Sequence, residues 1–347
     1  MWREGFVDGS GIQGRAHHHG QIGQIVGQTP QQFLAVVDGK VERCACMPAH
    51  EIHQQPREVI VAGADHAHTQ LAAPDALEMR HGRFGLLKLL DIPRLLGPET
   101  VVVTMQNGIP YWYFHKHGGA LQGSVVSSVD ASGSILKNIP AKRVVGCVVY
   151  PASELVRPGV VRHIEGDRFP VGELDGSASD RVERVSRCFT QAGFKAPVLD
   201  DIRAEIWLKL WGNLTFNPIS SLTHSTLVDI CQFPLTRELA TNMMLEAQTV
   251  ASKLGIDFRL PLEKRIAGAE KVGKHKTSML QDVAAGRAPE IDALVGSVVE
   301  LGRMTKTPTP HISTLYALVK LLARTMEEQQ ASVQMQPTSP SAAPQPA

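Results

Sequence analysis

The sequence predicts an α/β segment followed by an all-α domain, on three observations. Short β-branched runs bounded by turn residues fill the chain from Leu86 to about residue 198, apolar residues recur at helical spacing from Ile202 to Met326, and the residues ahead of Leu86 sustain neither pattern. The division that follows is 1–85, an atypical and poorly ordered segment; 86–198, the sheet half; 199–326, the helical domain; and 327–347, a disordered tail.

Residues 1–85 hold eight of the 14 histidines and repeated Gln, with few apolar runs. The strand candidates there are Phe33 to Val37 and Val59 to Ala62, both short and flanked by turn residues. His17, His18 and His19 read more simply as solvated surface than as metal ligands. From Leu86 the texture changes. Thr100 to Met105 (TVVVTM) follows Gly97-Pro98 and has the look of a buried strand of a parallel sheet, ending at Gln106-Asn107-Gly108. Further strands are predicted at Val144 to Tyr150 and, after a Pro158-Gly159 turn, at Gly159 to His163.

Asp200 and Asp201 are placed to cap a helix beginning near Ile202, with Ile206, Leu210 and Leu214 on one face. Later helices are predicted at Leu235–Leu254, Leu262–Gly273, Ser278–Ala285, Ile291–Met304 and Ile312–Met326. The Pro, Ser, Gln and Ala tail from Glu327 has nothing to bury.

Lys+Arg 35 against Asp+Glu 34 excludes a strongly basic chain, and with it a nucleic-acid or anionic-membrane partner. No apolar run is long enough for a membrane span and no signal peptide precedes a cleavage site, so a cytoplasmic protein is expected. The five cysteines, 44, 46, 147, 188 and 231, fit reduced thiols better than a disulfide framework, and Cys44-Ala-Cys46 lacks the second pair of a zinc site.

Three segments carry candidate chemistry. In RAEIWLKLWGNLTFNP, Lys209, Asn213 and Asn217 stand at i, i+4 and i+8, stacking an ammonium and two amides on one helical stripe. The bland reading is a solvated polar stripe; Trp207, Trp211 and Phe216 nearby suggest instead a partly dry cleft in which Lys209 could serve as an acid. In SMLQDVAAGRAPEID, Ser278 could be a simple N-cap and Glu290 a simple acid at a helix start, or both could meet a ligand. Asn107 ends a predicted strand, where ligands of open α/β sheets bind, although Asn-Gly is also a plain turn former. Gly9-Ser10-Gly11-Ile12-Gln13-Gly14 has the spacing of a dinucleotide fingerprint but neither the preceding strand nor the following helix.

Five blocks in order, LLGPETVVVTMQNGIP, VVYPASELVRPGVVRH, IRAEIWLKLWGNLTFNPISSLTH, KTSMLQDVAAGRAPEIDALVG and PTPHISTLYALV, resemble the ketopantoate reductase (2-dehydropantoate 2-reductase) family over about residues 86–323. The resemblance implies a Rossmann-like N-terminal domain and a helical C-terminal domain like that of 6-phosphogluconate dehydrogenases, holding NADPH and a 2-keto acid between them. It implies reduction of 2-dehydropantoate to pantoate, on the route to pantothenate and coenzyme A. Lys209 matches the family's proton donor, Asn213, Asn217 and Ser278 its substrate-binding residues, and Asn107 the asparagine between nicotinamide and substrate. Glu290, Lys88 and the backbone of Ala152 match cofactor contacts, and a homodimer through the helical domain is implied. Leu227 replaces a further substrate asparagine, and His275 stands where an asparagine often precedes the serine, which leaves the 2-keto acid open.

The resemblance begins abruptly at Leu86. The expectation is that residues 1–85 are not the cofactor half of the family, most simply through a reading-frame shift or wrong start upstream, leaving the Rossmann-like part incomplete. Two other readings therefore accompany the reductase: a binding or dimerising module without catalysis, and a reductase of another branched 2-keto acid.

Overall fold

The computed structural model describes residues 33–37, 92–94, 96–157 and 160–336, which belong to two compact units, Met1–Lys209 and Leu210–Ala347. The Val59–Ala62 strand, the histidine triplet, the glycine spacing at 9–14, Cys44, Cys46 and Lys88 lie outside the described residues.

The strands of the first unit are β1 (Phe33–Val37), β2 (Val101–Met105), β3 (Val144–Cys147), β4 (Ala152–Arg157), β5 (Val160–Glu165) and β6 (Val171–Gly172). Four form a sheet in the order β1-β2-β3-β6, and β4 and β5 pair separately as an antiparallel hairpin. The expected parallel pairing is found between β2 and β3, with Val102 opposite Val144 and Met105 opposite Cys147. The sheet as a whole is mixed, because β1 and β6 join antiparallel at its edges. The strand expected over Val144–Tyr150 stops at Cys147, and the strand expected at Gly159–His163 is β5, whose partner β4 was not anticipated. Its sequence, ASELVR, sets Ser153 beside Glu154 and Leu155 beside Val156, so it lacks the strict alternation that marks a half-buried strand.

Every residue of β2 is buried. One face, Val101, Val103 and Met105, packs with Val145, Cys147, Phe169 and Val171 against Val182 and Val185 of a helix over Asp180–Gln191. In chain order this helix is α3, after the short α1 (Ser127–Asp130) and α2 (Ser134–Asn138). The sequence reading passed over α3, although its signal is present: Ser179 Oγ caps it by accepting from the Val182 N–H at 3.2 Å. On the other face, Trp112 Nε1 donates to Thr104 Oγ1 at 2.9 Å. A Cβ on Gly146 would stand 3.0 Å from both Trp112 Cη2 and Ile202 Cγ1, so the bare backbone of β3 is what admits the start of α4 (Ile202–Thr223).

As expected, α4 is capped by Asp201, whose Oδ1 accepts from the Ala204 N–H at 2.9 Å. The second unit adds α5 (Leu227–Gln232), α6 (Pro234–Lys253), α7 (Leu262–Lys271), α8 (Ser278–Ala284), α9 (Ser297–Met304) and α10 (Pro310–Gln329). Helix α5 was not foreseen; it starts at a Thr226–Asp229 pair in which the carboxylate accepts from the Thr226 N–H at 3.0 Å. The helical run begins at Ile291, with a wide turn over Asp292–Gly296 ahead of α9. Glu246 on α6 receives the His311 and Ile312 N–H groups at 3.0 Å each, fixing the N-terminus of α10.

The expectation of a structureless tail from Glu327 needs correction over its first part. Helix α10 continues to Gln329, and the chain then returns along α8, where the Val333 N–H meets Val283 O at 3.2 Å and Gln334 Nε2 meets Ala284 O at 2.7 Å. The orphan carbonyls at the end of α8 supply acceptors that composition alone does not reveal. Among the described residues, no helix is long and apolar enough to cross a membrane.

Candidate active site

In the first unit, Lys209 is half-buried on α4 and its Nζ donates to Asn107 Oδ1 at 2.6 Å and to the Val149 carbonyl. Asn107 is buried just past the carboxyl end of β2, and Gly108 beside it has φ 77°, a turn that glycine makes without strain. Val149 follows β3. The ammonium is therefore held where the two parallel strands end, the place at which open α/β sheets receive ligands.

The position of Lys209 is set from both sides. Arg203, one and a half turns earlier on α4, is buried and spends its guanidinium on three carbonyls, with Nε to Tyr113 O at 2.8 Å, Nη1 to Leu174 O at 2.5 Å and Nη2 to His115 O at 2.6 Å. Burial lowers its affinity for the proton, but a guanidinium remains charged. On the sheet side, the Tyr150 ring centroid lies 6.0 Å from Lys209 Nζ. Tyr150 Oη donates to Glu205 Oε1 at 2.9 Å, and Arg168 Nη1 donates to the same oxygen at 2.5 Å. Beneath, burial pushes the Cys147 thiol up while the charge of Lys209 acts to lower it, so this cysteine stays protonated.

The aromatic wall differs from the one expected. Trp207 and Trp211 are fully buried, two residues to either side of Lys209 and so on the far side of the helix; Trp207 Nε1 donates to Tyr113 Oη at 2.7 Å. Tyr150, Glu205 and Arg168 were missed by the sequence reading, because they come from three separate segments. Ala152, half-buried, begins β4 opposite Glu165.

The other matched residues belong to the second unit. Asn213 is half-buried; Asn217 is 5% exposed, and its Nδ2 makes no hydrogen bond among the described residues. A solvated polar stripe is excluded for Asn217. A buried amide nitrogen without an acceptor is costly and uncommon. Ser278 is the first residue of α8, but Thr277 is its cap, with Oγ1 accepting from the Leu280 N–H at 3.3 Å. The reading of Ser278 as an N-cap is thus corrected. Asp282 of the same block is buried, and Arg287 Nε meets its Oδ1 at 2.8 Å, tying α8 to the loop that leads to Glu290. Burial raises the Asp282 carboxyl, with Arg287 opposing. Glu290 is half-buried at the start of the helical run, its carbonyl accepting from the Leu294 N–H at 3.4 Å. Among the described residues, no group of three or more His, Cys, Asp or Glu could hold a metal ion.

Such an arrangement can orient an ammonium toward a developing negative oxygen. Residues 201–323 match the family model "Ketopantoate reductase PanE/ApbA C terminal". The chain is 52% identical over 255 residues to a 2-dehydropantoate 2-reductase of Mesorhizobium japonicum, covering 73% of this chain and 78% of that protein. A crystal structure from Ralstonia solanacearum MolK2, described as a candidate ketopantoate reductase, matches with a TM-score of 0.66 and 41% identity, over 68% of this chain and 72% of that one. The 2-dehydropantoate 2-reductase of Methylococcus capsulatus matches with a TM-score of 0.58 and 26% identity, over 69% and 71%.

Proposed function

The chain belongs to the ketopantoate reductase family, and from that premise we propose that it reduces 2-dehydropantoate to pantoate with NADPH. The observation that carries this reading is Lys209 Nζ held on Asn107 Oδ1 at 2.6 Å where β2 and β3 end. In the proposed reaction NADPH, when bound, supplies the hydride that reduces the keto carbon. Lys209 donates a proton to the oxygen as it becomes an alkoxide, and its charge stabilises that oxygen until the O–H bond forms. Asn107 and the Val149 carbonyl orient the ammonium by two of its three N–H bonds.

Asn213, Asn217 and Ser278 are proposed to bind the substrate. The unsatisfied Nδ2 of Asn217 supports this, since a substrate oxygen would supply the acceptor it lacks. At the cofactor, the described residues fit the nicotinamide end: Asn107 is an amide that can meet a carboxamide, beside a glycine turn, and Glu290 and the Ala152 backbone are further proposed contacts. Lys88 and the glycine spacing at 9–14 lie outside the described residues. The exposed Phe233, Leu235, Leu245, Leu318 and Leu321 of the second unit support a homodimer through that domain, which light scattering tests.

The test of function is oxidation of NADPH at 340 nm by the purified chain with 2-dehydropantoate, and pantoate formation confirmed by mass spectrometry. A second reading, reduction of a different branched 2-keto acid, is favoured by one observation. Leu227 and His275, the two departures from the family's pattern, adjoin each other, with the Leu227 N–H on His275 O at 3.1 Å.

A further inference from the structure

We propose that Glu205 and Tyr150 are positioning residues for Lys209, forming with Arg168 a clamp that fixes both the face and the carbonyl on which the ammonium rests; this builds on the reading of Lys209 as the proton donor. The first support is connectivity. Tyr150 directly follows Val149, whose carbonyl accepts from Lys209, so anchoring the Tyr150 phenol also anchors the peptide plane that presents this carbonyl. The second is the anchor itself. Glu205 stands one turn before Lys209 on α4, its side chain only 13% exposed, and one oxygen, Oε1, accepts from Tyr150 Oη at 2.9 Å and Arg168 Nη1 at 2.5 Å. Helix α4 thus carries both the group that is positioned and the group that holds its support.

The third support is the ring. Two cations lie over the Tyr150 ring, with Arg168 Cζ at 5.2 Å and Lys209 Nζ at 6.0 Å from its centroid. An aromatic face attracts a cation only where the ring is held facing it, and the carboxylate of Glu205 offsets the second cation beside it. Without Glu205, two like charges would share the ring and its hydroxyl would lose its acceptor. With Glu205, the ring is locked and the long, flexible lysine meets a fixed wall, a fixed carbonyl and the Asn107 amide.

The experiment compares the parent with Tyr150→Phe, Glu205→Gln and the double variant, reading Lys209 reactivity by trace acetylation at fixed pH. Peptide mass spectrometry gives the rate relative to the exposed Lys264 and Lys271 of the same molecules. In the parent, Lys209 is expected to react more slowly than these references. Each single variant should speed Lys209 by about fivefold or more relative to them, and the double by no more than either single, because the residues act as one unit. Thermal unfolding of each variant reports whether the fold is kept; should Glu205→Gln fail to fold, Tyr150→Phe decides alone. A Lys209 rate unchanged within about twofold in the folded single variants would overturn the proposal, as would effects that multiply in the double.

In the reductase assay the same variants should lower kcat about tenfold with KM for the keto acid nearly constant, since positioning a proton donor acts on the transition state. The labelling readout does not require turnover. A parent that leaves 2-dehydropantoate unreduced while its labelling follows the expected pattern would remove the functional reading and support the clamp; turnover with unchanged labelling in the variants would do the reverse.

Discussion

Asn107 and Lys209, 102 residues apart in the chain, meet at 2.6 Å between Oδ1 and Nζ. The contact joins the end of a buried strand to the middle of a long helix, and it converts a turn-forming Asn-Gly pair into part of a charged site. Hydrogen bonds to a charged group contribute about 1.5–3 kcal/mol, so Asn107→Ala should lower kcat/KM for 2-dehydropantoate by roughly 10–100-fold. Steady-state kinetics with NADPH held saturating reads the effect, and parent-like kinetics would show that Lys209 needs no such partner.

Asn217 combines burial with a donor that no described residue answers. A buried amide nitrogen without an acceptor costs about 1–3 kcal/mol, so Asn217→Leu, which keeps the branching at Cγ, is expected to leave the thermal midpoint unchanged or higher. The same substitution should raise KM for the keto acid about tenfold or more, because the ligand's partner is gone. A variant that is destabilised and binds substrate normally would mark Asn217 as a structural residue.

Substrate choice is expected to turn on Leu227. This position is apolar where the family resemblance implies an asparagine, and its N–H rests on His275 O at 3.1 Å. Leu227→Asn should shift the ratio of kcat/KM toward 2-dehydropantoate and away from trimethylpyruvate, which lacks the hydroxyl, by about tenfold or more. Equal ratios in parent and variant would place the hydroxyl of the substrate elsewhere.

Acid stability is expected to depend on Glu173. Burial alone would raise its carboxyl, but the hydrogen bonds from Arg181, Nε and Nη2 at 2.5 Å each, and from Ser179 outweigh burial and hold it low. A carboxyl lowered in the folded state adds stability that is complete above the ordinary carboxylate range and is lost as pH falls through the folded value. Glu173→Gln should therefore cost on the order of 2–4 kcal/mol at neutral pH and flatten the acid limb of the stability profile. Urea unfolding at stepped pH reads both; an unchanged acid limb would assign acid sensitivity to other groups.

Much of the helical half was legible because its elements carry local signals. Asp201 before Ile202, Pro at the head of α6 and of α10, and Gly255 after α6 mark boundaries that the structure places within a few residues. Helix α5 escaped because six residues give too short a window for periodicity, and β4 because its alternation is weak. The strand β1 was read at Phe33–Val37, yet its antiparallel pairing with β2 was not, since pairing is a property of distant segments.

The site was legible one residue at a time and illegible as a set. The spacing of Lys209, Asn213 and Asn217 marks a polar stripe, but spacing on one helix cannot report that Asn107 and Val149 arrive from two strand ends to meet the lysine. Nor can it show that the ring beside Lys209 is Tyr150 rather than Trp207 or Trp211, which the helix turns into the interior. Ser278 and Thr277 are adjacent and chemically alike, and only the backbone geometry assigns the cap to Thr277.

The most direct measurement is NADPH oxidation with 2-dehydropantoate by the purified chain, run beside Lys209→Ala. The expected result is turnover by the parent and a fall in kcat of about 10²–10⁴-fold in the variant, with NADPH binding by fluorescence titration retained in both. Turnover that survives Lys209→Ala, or a folded parent that neither binds NADPH nor forms pantoate, would contradict the account.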